Sequence, residues 1–348
     1  MIDNLLSGFA PEFAVDLGTA NTLLYLKGEG IVANEASFVA VHQEGKESGK
    51  VEAYGTRAKL LEGRTSKCIE ALRPLEGGCI RDSELTVQML RYFFEKVPAH
   101  TRLLKAKVLL GIPSGATEVE QRAVAEAATL AGGGKVFVVE EVMAAAIGAG
   151  IPVTDNKGCM VVDIGGGTTD VAVISYNDVV ISRSTKTAGN KFDFLISEYV
   201  RRKHHVWIGN QTAERIKIEI GAARLTKDDP VITVQGRGVK DLMPAQISIR
   251  RSEVLEAIGE SFLDIAKLVQ GVLDQTPPEV AADLIDTGIV LVGGGALFPE
   301  IDSFLEHQTG LPVTLVEAPM TAVVEGAGKI LEEWGKYQHL LTTFQSQK

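Results

Sequence analysis

The sequence is poor in cysteine and histidine, and neither residue has the spacing of a metal site or a disulfide framework. Its three cysteines are Cys68, Cys79 and Cys159, an odd number without CxxC spacing. This usage is typical of a reduced, cytosolic chain. The six histidines form no HExxH pattern. The sequence therefore predicts no metal site made only of protein side chains.

An excess of positive charge is also missing. Lysine and arginine number 35 against 45 aspartates and glutamates, which gives a formal charge of -10 at pH 7 and an isoelectric point of about 5.2. Because such a field repels a phosphate backbone, we expect no nucleic-acid partner.

Long apolar runs are lacking as well. The longest uncharged stretch, residues 142–154, contains glycines and a proline. It is shorter than the ~20 apolar residues that cross a bilayer. The N-terminal Met-Ile-Asp-Asn has neither the basic segment nor the apolar core of a secretory signal. We therefore expect a cytoplasmic protein without a transmembrane helix.

What the sequence does contain is an internal repeat. With 348 residues, 45% of them hydrophobic, the chain is long enough for two domains. The segments FAVDLGTANTLLYL (13–26) and MVVDIGGGTTDVAVI (160–174) share one plan. Each has an apolar run ending near an aspartate, Asp16 or Asp163, then a turn of small residues, a threonine and a second apolar run. This plan predicts a strand, a tight turn and a returning strand in each half.

Each turn could bind phosphate through closely approaching backbone N–H groups. The chain has neither GxxxxGK[ST] nor a strand-linked GxGxxG with a downstream acid. Two facing turns would surround a di- or triphosphate, and Asp16 and Asp163 would meet across Mg²⁺, which is typically held by one or two carboxylates plus substrate phosphates. The alternative is a plain turn whose aspartate bonds its own backbone. The occurrence of two copies favours phosphate binding.

The segments around the repeat alternate between β and α patterns and predict α/β layers twice over. Residues 107–117 read as a strand, 118–134 as a helix closed by glycines, and 135–150 as a strand followed by a helix. Residues 288–301, GIVLVGGGALFPEI, read as a buried strand entering three glycines, whose backbone could pass close under a ligand. The polar run 42–50 predicts a hairpin tip in a small insert.

Two further features have open interpretations. Glu140 and Glu141 sit where a strand meets a helix N-terminus, so they either stabilise the helix end or polarise a water that attacks a γ-phosphate. The run 212–225 predicts an amphipathic helix that starts at Thr212. Its Glu214 and Lys217 form either an exposed pair or a polar clamp on ribose and adenine.

Six motifs together resemble the MreB family of bacterial actins. They are DLGTANT at 16, IPSGAT at 112, AAAIGAG at 144, DIGGGTTD at 163, TAERIK at 212 and LVGGGAL at 291, and they occur in family order over nearly the whole chain. The resemblance implies an actin-like, two-domain α/β fold with a nucleotide cleft between duplicated halves. It also implies a weak ATPase that binds ATP with Mg²⁺, polymerises into membrane-attached filaments and organises cell-wall synthesis.

The resemblance also implies site residues. The nucleotide-binding residues are Thr19, Ala20, Asn21, Gly165, Gly166, Gly167, Thr168, Gly189, Glu214, Lys217, Gly293, Gly294, Gly295 and Ala296. Glu141 matches the catalytic glutamate, and Thr168 the threonine that helps to position the attacking water. Asp16 and Asp163 would hold Mg²⁺ through water.

The implied domains follow the actin-like pattern. Domain IA comprises 1–32, 70–145 and 320–348; domain IB comprises 33–69; domain IIA comprises 146–187 and 252–319; and domain IIB comprises 188–251.

The chain departs from the family at two places. Glu141-Val142 stands where Glu-Pro is common, which loses only a proline favoured at the first helical position. Ala188-Gly189-Asn190 stands where Gly-Gly-Asp is common. This second change removes a carboxylate from the expected surroundings of the ribose.

Membrane attachment is implied at the inner face of the cytoplasmic membrane, together with self-assembly and cell-wall elongation proteins as partners. The candidate membrane residues are Met1, Ile2, Leu5, Leu6, Phe9, Leu103 and Leu104. The N-terminal stripe contains Asp3 and no basic residue, so it lacks the usual attraction to anionic lipid. Packing of this stripe onto the protein body is the alternative.

Two other classes of protein compete with the filament interpretation. A small-molecule kinase of the actin-like superfamily would use an aspartate as a base toward a hydroxyl, but such kinases usually carry larger inserts. A chaperone ATPase of the superfamily would need a separate peptide-binding domain, for which we expect no room after residue 330.

Overall fold

The computed structural model describes residues 10–44, 48–66, 68–97, 106–225 and 227–344. The strands are β1 (Glu12–Leu17), β2 (Asn21–Leu26), β3 (Gly30–Ala36), β4 (Val39–His42), β5 (Val51–Tyr54), β6 (Ile69–Leu72), β7 (Leu75–Glu76), β8 (Cys79–Ile80), β9 (Ala106–Ile112), β10 (Gly133–Glu140), β11 (Cys159–Ile164), β12 (Thr169–Ser175), β13 (Asp178–Thr185), β14 (Val206–Trp207), β15 (Val231–Gly238), β16 (Pro244–Arg250), β17 (Ile289–Val292), β18 (Val313–Leu315) and β19 (Thr342–Phe344). The α-helices are α1 (Gly55–Leu61), α2 (Ser83–Phe94), α3 (Glu118–Leu130), α4 (Glu141–Gly148), α5 (Gly189–His204), α6 (Asn210–Ile220), α7 (Arg251–Leu273), α8 (Pro278–Thr287), α9 (Ile301–Thr309), α10 (Ala322–Glu332) and α11 (Trp334–Tyr337). Short 3₁₀ helices cover Gly294–Leu297 and Gln338–Leu340.

The described residues form two compact units. Unit 1 takes those within Met1–Asn156, Ile174–Ser182 and Met320–Lys348, and unit 2 takes those within Lys157–Val173 and Arg183–Pro319. The four-domain division remains a prediction.

Unit 1 is built on a mixed sheet with the strand order β19-β10-β9-β1-β2-β3. Strand β1 runs antiparallel to β2 and parallel to β9, which in turn runs parallel to β10. The central strands are buried on both faces because α-helices pack on the sheet, as is usual where parallel strands occur. A smaller sheet, ordered β5-β4-β6, packs with α1 and forms the insert whose hairpin was predicted at 42–50.

Two helices of unit 1 cross in unusually close contact. A Cβ at Gly326 of α10 would collide with the Ala144 carbonyl of α4, and one at Gly148 with the Ala322 carbonyl. Glycine therefore lets the two backbones touch. The ammonium of Lys329 in α10 donates at 2.9 Å to the Gly148 carbonyl, where a positive charge complements the C-terminal end of α4.

The sheet of unit 2 repeats the plan of unit 1. Its order is β13-β12-β11-β17-β18, with β11, β17 and β18 parallel. In each unit the strand that carries the aspartate lies between its own returning strand and a parallel strand from later in the chain. The internal repeat predicted from sequence is thus present in the topology as well.

The rest of unit 2 combines a small sheet, β14-β15-β16, with α5 to α9. Its core contains an aromatic cluster of Phe192, Phe262, Phe298 and Phe304, with ring centroids 5.1 to 6.1 Å apart. Mostly edge-to-face or tilted contacts of this kind stabilise beyond the area they bury.

Two helix boundaries differ from the sequence prediction. Helix α6 begins at Asn210 after Gly209 rather than at Thr212, and it ends at Ile220, because Gly221 continues in extended backbone. Helix α3 ends at Leu130, and two of the three glycines expected to close it lie at the start of β10. No helix within the described ranges has both the length and the apolar character needed to span a membrane.

Candidate functional site

The first hairpin turn joins β1 to β2 and is fixed by a serine from the end of β3. Gly18 begins this turn, where the backbone is so tightly folded that a Cβ at Gly18 would lie 2.6 Å from the Asn21 carbonyl oxygen. The Ser37 hydroxyl donates to the Gly18 carbonyl at 2.6 Å, and the backbone N–H of Ser37 donates to the Ala20 carbonyl at 2.9 Å. Ser37 also shares a buried hydrogen bond of 2.8 Å with Thr22. The turn is therefore held from one side by a single residue.

Two other side chains of this hairpin are relevant to ligand binding. The Thr19 hydroxyl is buried and accepts a 3.1 Å hydrogen bond from the Gly78 N–H. Asp16, the penultimate residue of β1, is partly exposed, but burial of its carboxyl raises the pKa to about 7. A desolvated carboxyl favours a bound cation, because the cation would stabilise its ionised form. Asp16 thus fits the predicted Mg²⁺ role.

The second hairpin turn joins β11 to β12 and is fixed by backbone. The Gly165 N–H donates to the Thr168 carbonyl at 2.9 Å and closes the turn. The first two N–H groups of α5 then donate to it, from Gly189 to Gly165 at 3.1 Å and from Asn190 to Gly166 at 2.8 Å. The N-terminus of α5 is therefore packed directly against this turn, although β12 and β13 lie between them in the chain.

The third glycine segment packs on the strand end that carries Asp163. Asp163 is 8% exposed. Gly293 has φ of 81°, and a Cβ there would collide with the Asp163 carboxylate and lie 2.6 Å from the Ile164 carbonyl oxygen. A Cβ at Gly295 would likewise collide with the Ile164 side chain. The segment forms the 3₁₀ helix Gly294–Leu297, in which Ala296 is buried.

An ion pair that the sequence analysis missed connects α5 and α6. The Lys217 ammonium lies 2.8 Å from the Asp193 carboxylate and donates to the Gly189 carbonyl at 3.1 Å. The Lys217 side chain is 13% exposed, so its interpretation as part of an exposed pair is wrong. Glu214, one turn earlier on α6, is half-buried.

Asp193 supplies a carboxylate near Ala188-Gly189-Asn190, the segment that lacks the carboxylate of the family's Gly-Gly-Asp. Its carboxylate lies one helical turn after Gly189, 7% exposed and beside Lys217. The sequence signal was present, since Asp193 is an acidic residue between two phenylalanines in the KFDFL segment of α5. An acid in such a place is rarely buried unless it is paired.

The two neighbouring glutamates have different surroundings. Glu141 is the first residue of α4, and its side chain lies against β9, since a Cβ at Gly111 would be 3.2 Å from the Glu141 Cγ. Glu140 precedes the helix, but its side chain makes no capping hydrogen bond. Glu141 lies in the first helical turn, where the helix dipole favours a carboxylate, and its water-activating role stays a prediction.

The structure brings the predicted residues together in two groups. Unit 1 contains Asp16, Thr19, Ala20, Asn21 and Glu141, and unit 2 contains the others apart from the membrane candidates. In unit 2, Thr168 is half-buried at the end of the turn, beside the buried Gly167. The membrane candidates Met1, Ile2, Leu5, Leu6, Phe9, Leu103 and Leu104 lie outside the described residues.

Comparison with known proteins gives one consistent result. The family model described as MreB/Mbl protein matches residues 10–339. The cell shape-determining protein MreB of Escherichia coli (strain K12) is 47% identical over 326 residues, which cover 93% of this chain and 94% of that protein. The crystal structure of MreB 5 of Spiroplasma citri bound to AMPPNP is 36% identical, with a TM-score of 0.89 over 95% of this chain and 98% of that one. A MamK double helical filament, at 20% identity and a TM-score of 0.78, covers 93% of this chain and 99% of that one and shows the shared fold.

Proposed function

Because the chain belongs to the MreB/Mbl family and has the actin-like fold, we propose that it is an ATP-binding cytoskeletal protein whose filaments determine cell shape. The relative from Escherichia coli is named for cell-shape determination, and the structure of the Spiroplasma relative contains AMPPNP, an analogue of ATP. Both relatives match this chain over almost its full length, so the proposal concerns the whole protein.

The observation that carries the nucleotide proposal is the pair of aspartate-bearing hairpin turns. Each turn contains small, partly exposed residues beside a strand end, and each has an aspartate as the penultimate residue of the preceding strand. We propose that both turns bind the phosphates of one ATP molecule, through the backbone at Thr19 to Asn21 and at Gly165 to Thr168. Backbone N–H groups suit this role because they are strong donors with no conformational freedom left to lose.

The remaining site residues are assigned to the nucleoside. Lys217 is held by Asp193 and the Gly189 carbonyl, so its position on α6 is fixed before a ligand arrives. With Glu214 it would contact ribose and adenine. Residues Gly293 to Ala296 would pass beneath the nucleotide, because glycine lets that backbone approach Asp163 and Ile164 closely.

For hydrolysis, we propose that Glu141 orients the attacking water with the help of Thr168. Phosphoryl transfer depends mainly on positioning and charge neutralisation, so a weak ATPase needs little more than this. Mg²⁺, held through water by Asp16 and Asp163, would neutralise charge on the phosphates. The absence of a Cβ at Gly111 leaves room for the Glu141 side chain to lie against β9, since an added Cβ would come 3.2 Å from its Cγ.

We further propose that the protein is cytoplasmic and peripheral at the inner membrane, where its filaments organise cell-wall elongation proteins. The four domains of the actin-like pattern belong to the same proposal. What supports these finer statements is family membership together with the apolar residues at the N-terminus and at Leu103-Leu104.

Sedimentation with Mg-ATP, with and without liposomes, followed by electron microscopy tests the filament and membrane proposals. We expect filaments with ATP and their recovery with liposomes. Strict monomers at every concentration would contradict the filament proposal, and phosphorylation of a sugar by such monomers would support the kinase alternative. Filaments that never associate with liposomes would contradict only the membrane proposal.

Phosphate release tests the assignment of Glu141. Glu141→Ala should slow release about 100-fold or more, because a positioned acid–base residue typically contributes about 10²–10⁴-fold, while nucleotide affinity is retained. Glu84→Ala, at an exposed glutamate on α2, is the matched control. Unchanged release in Glu141→Ala would remove the residue from its role.

A further inference from the structure

A cavity of about 520 Å³ lies in unit 1, where β10 passes into α4, beside the tip of the β12–β13 hairpin. Glu140, Met143 and His339 line it together with hairpin residues 176–179. None of these residues has a part in the proposed nucleotide site. The cavity therefore requires its own explanation.

The polar atoms around the cavity are mainly hydrogen-bond acceptors. Within the described residues, the buried atoms Glu140 Oε2 and Asn177 Oδ1 have no hydrogen-bond partner. The Asp178 carboxylate also lines the cavity, and its Oδ1 accepts from the Val179 N–H at 2.9 Å. A buried acceptor without a donor costs about 1–3 kcal/mol. Among the described residues, no lysine or arginine lines the cavity, whereas the carboxyl groups of Glu140 and Asp178 do.

Electrostatics agree with this description. Burial raises the pKa of Glu140, and the nearby Asp178 carboxylate raises it further, against a hydrogen bond from Ser114 that lowers it. An anionic ligand would meet two carboxylates of the same sign. A ligand with several donors and a positive charge would relieve both the repulsion and the missing hydrogen bonds.

The hairpin tip is held in a conformation that its sequence only partly favours. Tyr176 and Asn177 both have positive φ, 53° and 62°, as in the two-residue turns of type I′. Asparagine tolerates this region, whereas tyrosine does so at a cost of about 1–2 kcal/mol. The loop before β11 fixes the tip. The backbone N–H of Tyr176 donates to the Asp155 carbonyl at 2.9 Å, and the backbone N–H of Asn177 donates to the Val153 carbonyl at 2.7 Å. The outcome is an exposed aromatic ring at the cavity, and such a ring attracts cations.

We propose that this cavity binds a small organic cation, a guanidinium or primary ammonium group carried on a short aliphatic chain. The charged head would donate to Glu140, Asn177 and Asp178, and the aliphatic part would contact Met143 and Leu340. The volume holds such a chain as well as its head, which a bare metal ion would leave unfilled. The site does not depend on the proposed nucleotide function.

The same chemistry could reach the cavity as a free amine or guanidine, or as an arginine or lysine side chain of a polypeptide. Isothermal titration calorimetry of the full chain with agmatine and with N-acetylarginine amide distinguishes the two sources. We expect saturable binding of at least one. Tighter binding of agmatine would indicate a free ligand, and tighter binding of the arginine derivative a side chain. N-butylurea, which has donors but no charge, should not bind.

Variants locate the binding in the cavity. Glu140→Gln should lower the affinity for the cation at least tenfold, because the substitution removes the negative charge and retains the side-chain shape. Asn177→Gly suits the turn and should weaken binding several-fold, while Glu84→Gln on α2 should have no effect. Thermal unfolding and ATP binding of each variant report whether it is folded.

The proposal would be overturned if neither cation bound at millimolar concentration, if N-butylurea bound equally well, or if folded Glu140→Gln bound the cation as tightly as the unmodified chain. Loss of ATP binding with retained cation binding would contradict the nucleotide proposal and leave this one in place.

Discussion

The first hairpin turn is held in part by side-chain hydroxyls, whereas the second is held by backbone N–H groups. In unit 1 the Ser37 hydroxyl donates to Gly18, and the Thr19 hydroxyl accepts from Gly78. In unit 2 the corresponding support is a pair of N–H groups from α5, donated to Gly165 and Gly166. Backbone bonds survive most side-chain substitutions, whereas hydroxyl bonds do not.

The two aspartates differ in a related way. Asp16 lies at a strand end whose surroundings desolvate its carboxyl, so its ionisation depends on pH near neutrality. Asp163 lies against Gly293, so its position depends on the absence of a Cβ. One strand plan can therefore give two turns, both proposed to bind phosphate, that are sensitive to different changes: the first to hydroxyl loss and pH, the second to steric bulk.

The largest expected effect is the loss of Mg-dependent nucleotide binding in Asp163→Ala. We expect Kd for Mg-ATP to rise at least about 100-fold, or about 2.7 kcal/mol, because the variant lacks a buried carboxylate that is proposed to hold the ion. Asp16→Ala should weaken binding less at pH 7, since a carboxyl with a pKa of about 7 is only half ionised there. Fluorescent-nucleotide titration measures both, with the exposed Asp264→Ala as the control. Equal losses in the two variants would break the comparison.

Next in size is the effect of a methyl group at Gly293. Gly293→Ala should destabilise the nucleotide-free protein by about 1–3 kcal/mol, because it combines a positive φ with a collision against Asp163. At the adjacent Gly294, a Cβ meets no atom within 4 Å, so Gly294→Ala should leave stability unchanged. Urea unfolding without nucleotide gives both values. A stable Gly293→Ala protein would show that this contact does not fix Asp163.

The third effect is a pH dependence confined to the first turn. Because the pKa of Asp16 is raised to about 7, its carboxyl is mostly protonated at pH 6 and ionised at pH 8. Mg-ATP binding should strengthen about tenfold over this range in excess of any change in Asp16→Asn. The Asp16→Asn variant subtracts the titration of the nucleotide itself. Parallel pH profiles for the two proteins would contradict this role of Asp16.

The raised pKa of Asp16 has the opposite effect on folding stability: a higher pH favours Mg-ATP binding but disfavours the folded state. Without a cation, the unfolded chain releases the Asp16 proton near pH 3.8, whereas the folded chain retains it up to about pH 7. The contribution of Asp16 to the free energy of unfolding therefore falls as the pH rises between these two values.

The last expected effect concerns the hydroxyl that supports the first turn, where nucleotide affinity should change least. Ser37→Ala removes the bonds to Gly18 and Thr22 and should reduce stability by about 1–3 kcal/mol, near the lower end if Thr22 rotates to a new partner. Ser48→Ala, at an exposed serine in the insert hairpin, is the control for thermal unfolding. Nucleotide affinity should fall only a few-fold. If Ser37→Ala unfolded at the same temperature as the unmodified chain, side-chain support of this turn would be unimportant.

Much of the fold follows from local sequence pattern. The strands and turns predicted from the two Asp-turn-Thr segments are confirmed. Such predictions succeed because an apolar run and a turn of small residues each depend on only a few neighbouring positions. Helix α6 shows the limit: Thr212 looked like its first residue, but the N–H groups of Thr212 and Ala213 both donate to Gly209, so the helix starts earlier. Glycine can cap a helix, but it gives a weaker sequence signal than threonine.

Contacts between distant residues could not be read from the sequence. The Lys217–Asp193 pair joins residues 24 positions apart, and Ser37 reaches Gly18 across 19. Both depend on how helices and strands pack, which no local pattern specifies. The positions of the site residues within each unit were therefore predictable, but their supports were not.

The close crossing of α4 and α10 also constrains the order in which the chain can fold during synthesis. Gly148 and Gly326 meet in this crossing, so the backbone surface of α4 lacks its cover until the ribosome has made residues beyond 320. Unit 2 needs nothing after Pro319. The half of the protein that emerges first would thus be completed last, and until then an apolar helix would remain open to chaperones or to misassembly.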